Sequence, residues 1–394
     1  MLHNKQSYSR MLTEPDIIEC RKNHRGIIIT PFNKNKAKGI GYNLSPSDLF
    51  YSLKKCSPLK IRYNEEGSFV YIKPQDTVLI LSYEHIQSED NITGTFHSRV
   101  RSSADGLGSV STTLDPGWKG MLLISISNPT SRKIKIPITT KKDGRIERCN
   151  LITMVVFQNY SMINENENVS FHVDNPPMRA DIWSELTSKP HNLFHEKNYK
   201  KFQSFIQKLI NFKYDENDIT LKYKVILEYI LEIEIALCAN KSVKSAKIPL
   251  IKLSQCIPED DKELKNKYLA LNEHIKKTKN LFTLKNESKT KQLIELFRNE
   301  CKYLMLCEEV KQIHRFINQN ITKWWKHGKI YSLIYKYLLP NLIAIIATIF
   351  LLLILFFGPT FNFDDNSSLL KIIIAFIPVL ASFCINAIKE KCDK

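Results

Sequence analysis

The residues best suited to chemistry lie in a short segment, 98–120, where arginine, serine and glycine residues precede Asp115. Guanidinium and hydroxyl groups bind phosphate oxygens, and the arginine contact is charge-assisted and forked. The candidate phosphate-binding residues are Ser98, Arg99, Arg101, Ser102 and Ser103. Pro116 and Gly117 force a turn after Asp115, where a carboxylate can meet a sugar, a metal ion or a water molecule. A solvated hairpin turn is the simpler alternative.

This turn and its neighbours resemble the dCTP deaminase family of the dCTP deaminase/dUTPase-like superfamily. Residues 114–120, LDPGWKG, are similar to the family's I-D-P-G-[WFY]-x-G turn, and 121–128 to the strand after it. Upstream, 11–18, 41–44 and 69–80 resemble the family's opening helix, its Y-D-L-R-L-G strand and its F-x-L-x-P-G hairpin. The motifs occur in the family's order over about residues 11–160. The resemblance implies a nucleotide-binding β-roll that forms a homotrimer with sites at subunit borders.

Two features depart from the family's pattern. Ser125 stands where the family has the glutamate that acts as general base on the attacking water, and a serine hydroxyl cannot shuttle protons near neutral pH as a tuned carboxylate can. Arg101, Ser102 and Ser103 match the family's R-S-S run but lie closer to Asp115 than that run does. An ungapped match puts His97 and Ser98 there instead, and both alignments stay open.

The resemblance also carries expectations about cofactors. In the related dUTPases an aspartate orients the attacking water and contacts the deoxyribose, and a ring packs on the sugar; these roles would fall to Asp115 and Trp118. Mg²⁺ is held there by the triphosphate, so we expect Mg²⁺ bound through the nucleotide and no metal site made by the protein. The zinc deaminase signature H-x-E…P-C-x-x-C is absent and the nine cysteines form no C-x-x-C pair, so we expect no zinc.

The hydrophobic pattern predicts an α+β chain. Short β-rich runs between turn residues predict strands at 70–82, 121–127, 133–138 and 151–159. They indicate an all-β, dUTPase-like roll over 1–180, in which 164–177 is a linker or closing arm. Residues 181–330 form a lysine-rich, α-helical connector, with a buried helix at 219–239. One apolar stripe with helical spacing predicts a packing face; it comprises Tyr303, Leu306, Val310, Ile313, Ile317, Ile321 and Trp324.

The C-terminal residues 331–394 contain two apolar runs, 338–357 and 372–388. The first matches the ~20 residues that a helix needs to span a bilayer, and the second is shorter, so a buried core helix is its alternative. Lysines flank the pair on both outer sides, whereas the connecting loop contains Asp364 and Asp365. The positive-inside rule then predicts two transmembrane helices in an inner or cytoplasmic membrane, with both chain ends in the cytoplasm.

The composition of the chain indicates which classes of partner and which compartment it favours. The net charge of +17 favours anions, and nine scattered cysteines without a disulfide framework favour a reducing compartment. The lysines of 241–285 are interleaved with few aromatic residues, so we expect a solvated surface there and no nucleic-acid partner.

The leading functional hypothesis is a membrane-tethered sensor that binds a pyrimidine deoxynucleoside triphosphate and passes its occupancy to the hairpin. This layout is similar in architecture to bacterial antiphage effectors. The alternative is an active, membrane-anchored dCTP deaminase or dUTP pyrophosphatase. A third hypothesis is a trimerisation module that binds no nucleotide.

Overall fold

A computed structural model describes residues 9–109, 112–159, 179, 181–183, 185, 196–214, 218–239, 243–278 and 284–333. The chain divides into two compact units, Met1–Trp324 and Trp325–Lys394. The described residues of the first unit form a β-rich roll followed by a group of helices.

The roll is built from antiparallel strands in four sheets. The first contains β1 (Ser9–Met11), β16 (Ile152–Asn159), β9 (Ile92–Ser98) and β11 (Thr113–Leu114), in that order, with β3 (Tyr42–Leu44) also paired to β16. The second contains β10 (Gly108–Ser109), β12 (Lys119–Asn128), β8 (Asp76–Ser88), β4 (Pro46–Ser52) and β5 (Ser57–Pro58), with β2 (Ile27–Thr30) also paired to β8. The third contains β13 (Ile134–Pro137), β7 (Gly67–Ile72) and β6 (Arg62–Asn64), and the fourth is the hairpin of β14 (Thr139–Lys142) and β15 (Arg145–Arg148).

Alternation along the strands builds one core inside the roll. On β12 the buried side chains of Leu122, Ile124 and Ile126 alternate with half-buried ones, and all three join the same apolar cluster. The predicted strands at 121–127, 133–138 and 151–159 are confirmed by β12, β13 and β16.

The β-rich run at 70–82 is interrupted by a turn, as the family's hairpin at 69–80 implies, although β7 and β8 belong to different sheets. It is split between β7 and β8 by a turn that contains Pro74, which has no N–H to donate to a ladder, and Gln75, whose φ of 57° is left-handed.

The helical part begins after the roll, apart from two short helices inside it. The helices are α1 (Glu14–Asn23), α2 (Val100–Ala104), α3 (Glu196–Ile210), α4 (Asp218–Glu234), α5 (Val243–Cys256), α6 (Lys262–Lys277) and α7 (Leu284–Leu333). A π-helical turn, Ile235–Ala239, continues α4, so the predicted helix at 219–239 is confirmed. The predicted stripe on α7 is also confirmed as a packing face, since Val310, Ile317 and Ile321 are buried.

A buried ionic cluster joins α7 to the roll, and we call it the Glu300 cluster: Glu300, Arg21, His24 and Lys267. Arg21 donates two hydrogen bonds to the Glu300 carboxylate, at 2.8 and 3.1 Å, and His24 Nε2 lies 2.9 Å from Oε2. Lys267 Nζ lies 3.5 Å from the same oxygen. Because Arg21 lies on α1 and His24 caps its C-terminal end, this cluster fixes the roll's first helix between α6 and α7.

Two further contacts continue this interface along α7. The hydroxyl of Tyr303 accepts a hydrogen bond from the Phe32 N–H at 3.1 Å, and Arg21 stacks 3.7 Å above its ring. His314 donates from Nε2 to the Tyr83 carbonyl at 2.7 Å and stacks on the Tyr83 ring. The roll and α7 are therefore connected by specific polar contacts as well as by apolar packing.

The predicted linker at 164–177 and both predicted membrane spans lie outside the described residues. Within the described ranges, no helix combines the length and the apolar character that crossing a membrane requires. The hairpin, its bilayer and its orientation stay predictions, as do the domain boundaries near 180 and 330.

Candidate functional site

The Asp115 turn is anchored to the end of β8. Ser88 Oγ donates to the Asp115 carbonyl at 3.2 Å and accepts from the Trp118 N–H at 2.9 Å. Gly117 has a φ of 68°, where a side chain would be strained. The Asp115 carboxylate accepts a hydrogen bond from Thr113 Oγ1 at 3.3 Å, so the turn fixes its direction.

Asp115 lines a small cavity of about 50 Å³ together with His97, Trp118 and Arg179. His97 is exposed, and its Nε2 lies 2.8 Å from Thr95 Oγ1. A water molecule occupies about 30 Å³ of liquid, so the cavity volume formed by the described residues has room for one or two waters. Arg179, which forms an ion pair with Asp181 at 2.8 Å, was not predicted from the sequence.

Trp118 and Ser125, two residues predicted to belong to the site, are less accessible to a ligand than expected. Trp118 is only 7% exposed, and its indole N–H donates to the Gly120 carbonyl at 3.1 Å. Its ring belongs mainly to the core, so packing on a sugar would use the edge that lines the cavity. Ser125 is half-buried on β12 opposite Leu79 of β8, and it does not line the Asp115 cavity.

The predicted phosphate-binding residues lie mostly along a second, larger cavity of about 650 Å³, which we call the basic groove. Its cations are Arg99, Arg101, Arg132, Lys133 and Lys135, and Ser102 also lines it. Only Glu66 and Asp105 oppose them in charge among the lining residues. These guanidinium, ammonium and hydroxyl donors suit phosphate oxygens and not a metal ion.

The remaining two candidates lie outside both cavities. Ser98 hydrogen-bonds through its hydroxyl to Ser109, which borders the Asp115 cavity, and Ser103 is exposed on α2. The two open alignments thus fall on different cavities: His97 lies beside Asp115, whereas Arg101 and Ser102 lie in the basic groove. In the part of the chain that the structure describes, Asp115 and Arg101 line separate cavities.

No group of His, Cys, Asp and Glu in the described residues could hold a metal ion. The Mg²⁺ expectation therefore concerns the phosphates of a bound nucleotide, for which the basic groove offers counter-charges.

Sequence reasoning missed two polar groups of the roll. Glu84 is buried and accepts hydrogen bonds from Lys36 at 2.9 Å and from the Ser45 N–H at 2.7 Å. No sequence signal marks this pair, because its members are far apart in the chain. Arg132 and Lys133 just before β13, and Lys135 on it, did carry a signal in their spacing, but that segment was interpreted only as a strand.

No family model matches the chain. It is 29% identical over 118 residues to the dCTP deaminase of Thermococcus sibiricus, a match that covers 30% of this chain and 72% of that protein. The dCTP deaminase of Pyrococcus abyssi is 29% identical over 113 residues, 29% of this chain and 70% of that protein.

Solved structures give weaker matches. The 2'-deoxycytidine 5'-triphosphate deaminase from Agrobacterium tumefaciens has 8% identity and a TM-score of 0.29, over 38% of this chain and 48% of that one. The native EIAV dUTPase has 17% identity and a TM-score of 0.20, over 29% of this chain and 91% of that one. TM-scores this low do not establish a structural relationship. The dCTP deaminase/dUTPase-like character of the N-terminal domain rests on the sequence relatives, and the matches cover less than a third of this chain.

Proposed function

We propose that the N-terminal roll binds a deoxynucleoside triphosphate with a pyrimidine base, at a site completed by two subunits of a homotrimer. One observation carries the proposal: in a single chain the fixed Asp115 carboxylate and the basic groove line separate cavities. A nucleotide needs both a sugar contact and phosphate contacts, so a neighbouring subunit would supply the half that one chain lacks. The sequence relatives are dCTP deaminases, which gives the class of ligand.

The charges of the basic groove support a polyphosphate ligand. Five cations and two carboxylates leave a surplus of positive charge in one cleft. Neither the Arg101 guanidinium nor the Lys133 ammonium has an ion pair or a hydrogen bond to another described residue. Both are therefore available for phosphate oxygens, whose contacts with cationic donors are short and strong.

The proposed role is that of a membrane-tethered nucleotide sensor. Ser125 lacks the carboxylate that deamination uses in the related family, which disfavours turnover. Occupancy of the roll would reach α7 through the Glu300 cluster and the Tyr83–His314 contact. The described part of α7 extends to Leu333, and the first predicted membrane span begins at residue 338.

An active, membrane-anchored enzyme is the second candidate. The Asp115 cavity favours it, because a cavity for one or two waters beside a fixed carboxylate suits activation of a water molecule. In that case Asp115 would orient the water for cleavage of the triphosphate or for deamination.

The test uses the full chain purified in detergent. Each deoxynucleoside triphosphate is added with Mg²⁺, products are separated by chromatography, and the melting temperature is recorded. A rise in melting temperature without conversion supports the sensor, and conversion of dCTP or dUTP supports the enzyme. Arg101→Ala should abolish the rise, whereas Arg145→Ala, on the exposed hairpin outside the groove, should keep it. No rise with any nucleotide would refute the proposal.

A further inference from the structure

We propose that the outer face of the three-stranded sheet is a binding site for a single-stranded polynucleotide. This face, the aromatic–basic face, comprises Arg62 of β6, Phe69 and Tyr71 of β7, Lys135 of β13 and Lys133 just before it. The inference goes beyond nucleotide binding at Asp115. It shares the cations of the basic groove with the proposed nucleotide site, whereas Arg62 and Tyr71 lie outside that groove. It also concerns a different surface from the lysine-rich helices.

The strand pattern turns two aromatic rings away from the core. On β7 the side chains of Val70 and Ile72 are buried, so the alternate residues Phe69 and Tyr71 lie on the opposite face. Phe69 is half-buried and lines the basic groove, whereas Tyr71 is exposed. Buried neighbours on the same strand hold both rings in place, which lowers the entropic cost of stacking a ligand on them.

Cations alternate with these rings across the sheet. The Lys135 ammonium lies 4.5 Å from the centre of the Phe69 ring, and the Arg62 guanidinium lies 5.5 Å from that of Tyr71. Register pairs Arg62 with Phe69 and Lys135 with Tyr71, so each ring has a cation beside it on a neighbouring strand. Aromatic rings for bases, next to cations that track a phosphate backbone, are the elements of a single-strand site.

The geometry of the rings favours unpaired bases. The centres of Phe69 and Tyr71 are 5.3 Å apart and their planes are inclined at 82°. Successive bases of a duplex are parallel and about 3.4 Å apart, so they cannot stack on both rings. Splayed bases of a single strand can. The basic groove beside Phe69 then continues the path for phosphates through Lys133, Arg132 and Arg101.

The test is an anisotropy titration of the full chain in detergent with labelled oligonucleotides of about 15 nucleotides, a length within the range of known single-strand sites. One arm uses oligothymidylate, one uses oligouridylate, and one uses a DNA duplex of the same length. The first two arms distinguish DNA from RNA as the source of the strand. We expect at least one single strand to bind about tenfold or more tightly than the duplex.

Two variants locate the site. Phe69→Leu with Tyr71→Leu keeps apolar bulk but removes both rings, and should weaken single-strand binding about tenfold or more. Lys133→Glu with Lys135→Glu should lower the slope of log affinity against log salt by about 1.4, at ~0.7 per phosphate contact. Lys276→Glu with Lys277→Glu makes the same charge change on exposed positions of α6 and should leave the affinity within about twofold.

Several results would overturn the inference. One is equal affinity for the duplex and the single strands. Another is unchanged single-strand affinity in both double variants, Phe69→Leu with Tyr71→Leu and Lys133→Glu with Lys135→Glu, when both are folded. A third is an α6 control that loses as much affinity as these variants do. A strand that binds no more tightly than dTTP would show a mononucleotide site and would also overturn it. Loss of nucleotide binding in Arg101→Ala tests the proposed function separately, because its readout is the melting temperature with a free nucleotide.

Discussion

Glu300 is a buried carboxylate surrounded by the basic side chains of Arg21, His24 and Lys267. Its side chain is 1% exposed, and burial alone would raise its pKa. The hydrogen bonds from His24 and Arg21 outweigh burial and lower the pKa from 4.5 to about 2. The unfolded chain therefore binds this proton more tightly than the folded chain does. The stabilisation is fully present above about pH 4.5 and is lost as the pH falls towards 2.

We expect Glu300→Gln to lower the free energy of unfolding at pH 7 by on the order of 3 kcal/mol, since it leaves the largely buried Arg21 guanidinium without its counter-charge. Urea denaturation followed by tryptophan fluorescence measures this change. The matched control is Glu295→Gln, whose exposed ion pair with Arg25 at 3.4 Å should contribute less than about 1 kcal/mol. Equal losses in the two variants, or an unchanged acid transition in Glu300→Gln, would contradict the role of the cluster.

A substitution at Asp115 distinguishes nucleotide binding from nucleotide turnover at the proposed site. Asparagine keeps an oxygen that can accept from a sugar hydroxyl but cannot take a proton from water. Asp115→Asn should therefore retain nucleotide-induced stabilisation and, if the chain is an enzyme, lose about a hundredfold or more in kcat. Chromatographic assay of products, together with melting curves, tests both statements. Full turnover in this variant would remove Asp115 from the chemistry.

At the scale of elements, the loop that enters β3 depends on one glycine. Gly41 has a φ of 85°, and a Cβ there would overlap the Met154 carbonyl oxygen of β16. Gly41→Ala should therefore destabilise the roll by about 2 kcal/mol or more, because the backbone of β16 cannot move aside cheaply. Gly39→Ala, with no atom within 4 Å of its Cβ, is the control and should cost little. Similar melting temperatures for the two variants would show that the β3–β16 approach is not tight.

Some elements could be predicted from the sequence, and others could not. Strands such as β12 and β16 follow from their own composition, and the α7 stripe follows from helical spacing. Composition alone did not place the break between β7 and β8, because apolar residues continue on both sides of Pro74, whereas the family resemblance at 69–80 implied a turn there. The Glu300 cluster could not be predicted, since Arg21 and Glu300 are 279 positions apart. For the site, the Asp115 turn followed from a motif, whereas its separation from the basic groove depends on tertiary packing.

At the scale of the whole molecule, the proposed trimer can be tested by mixing subunits. If Arg101 and Asp115 of different chains form one site, co-expression of Arg101→Ala and Asp115→Ala chains in equal amounts should leave about one quarter of the sites intact. Unlike asparagine, alanine at 115 removes the sugar contact, so nucleotide binding reports on both residues. Titration calorimetry counts the sites. A count of zero, with trimers present, would show that each site lies within one chain.

The Glu300 cluster also has a consequence for co-translational folding. Helix α1 is synthesised about 280 positions before its partners on α7. At ~5–20 residues per second, translation takes about 14 to 56 seconds to cover that distance. During this interval Arg21 and His24 of the nascent roll lack their partner Glu300. The surface of the roll that α7 later covers therefore stays exposed to solvent.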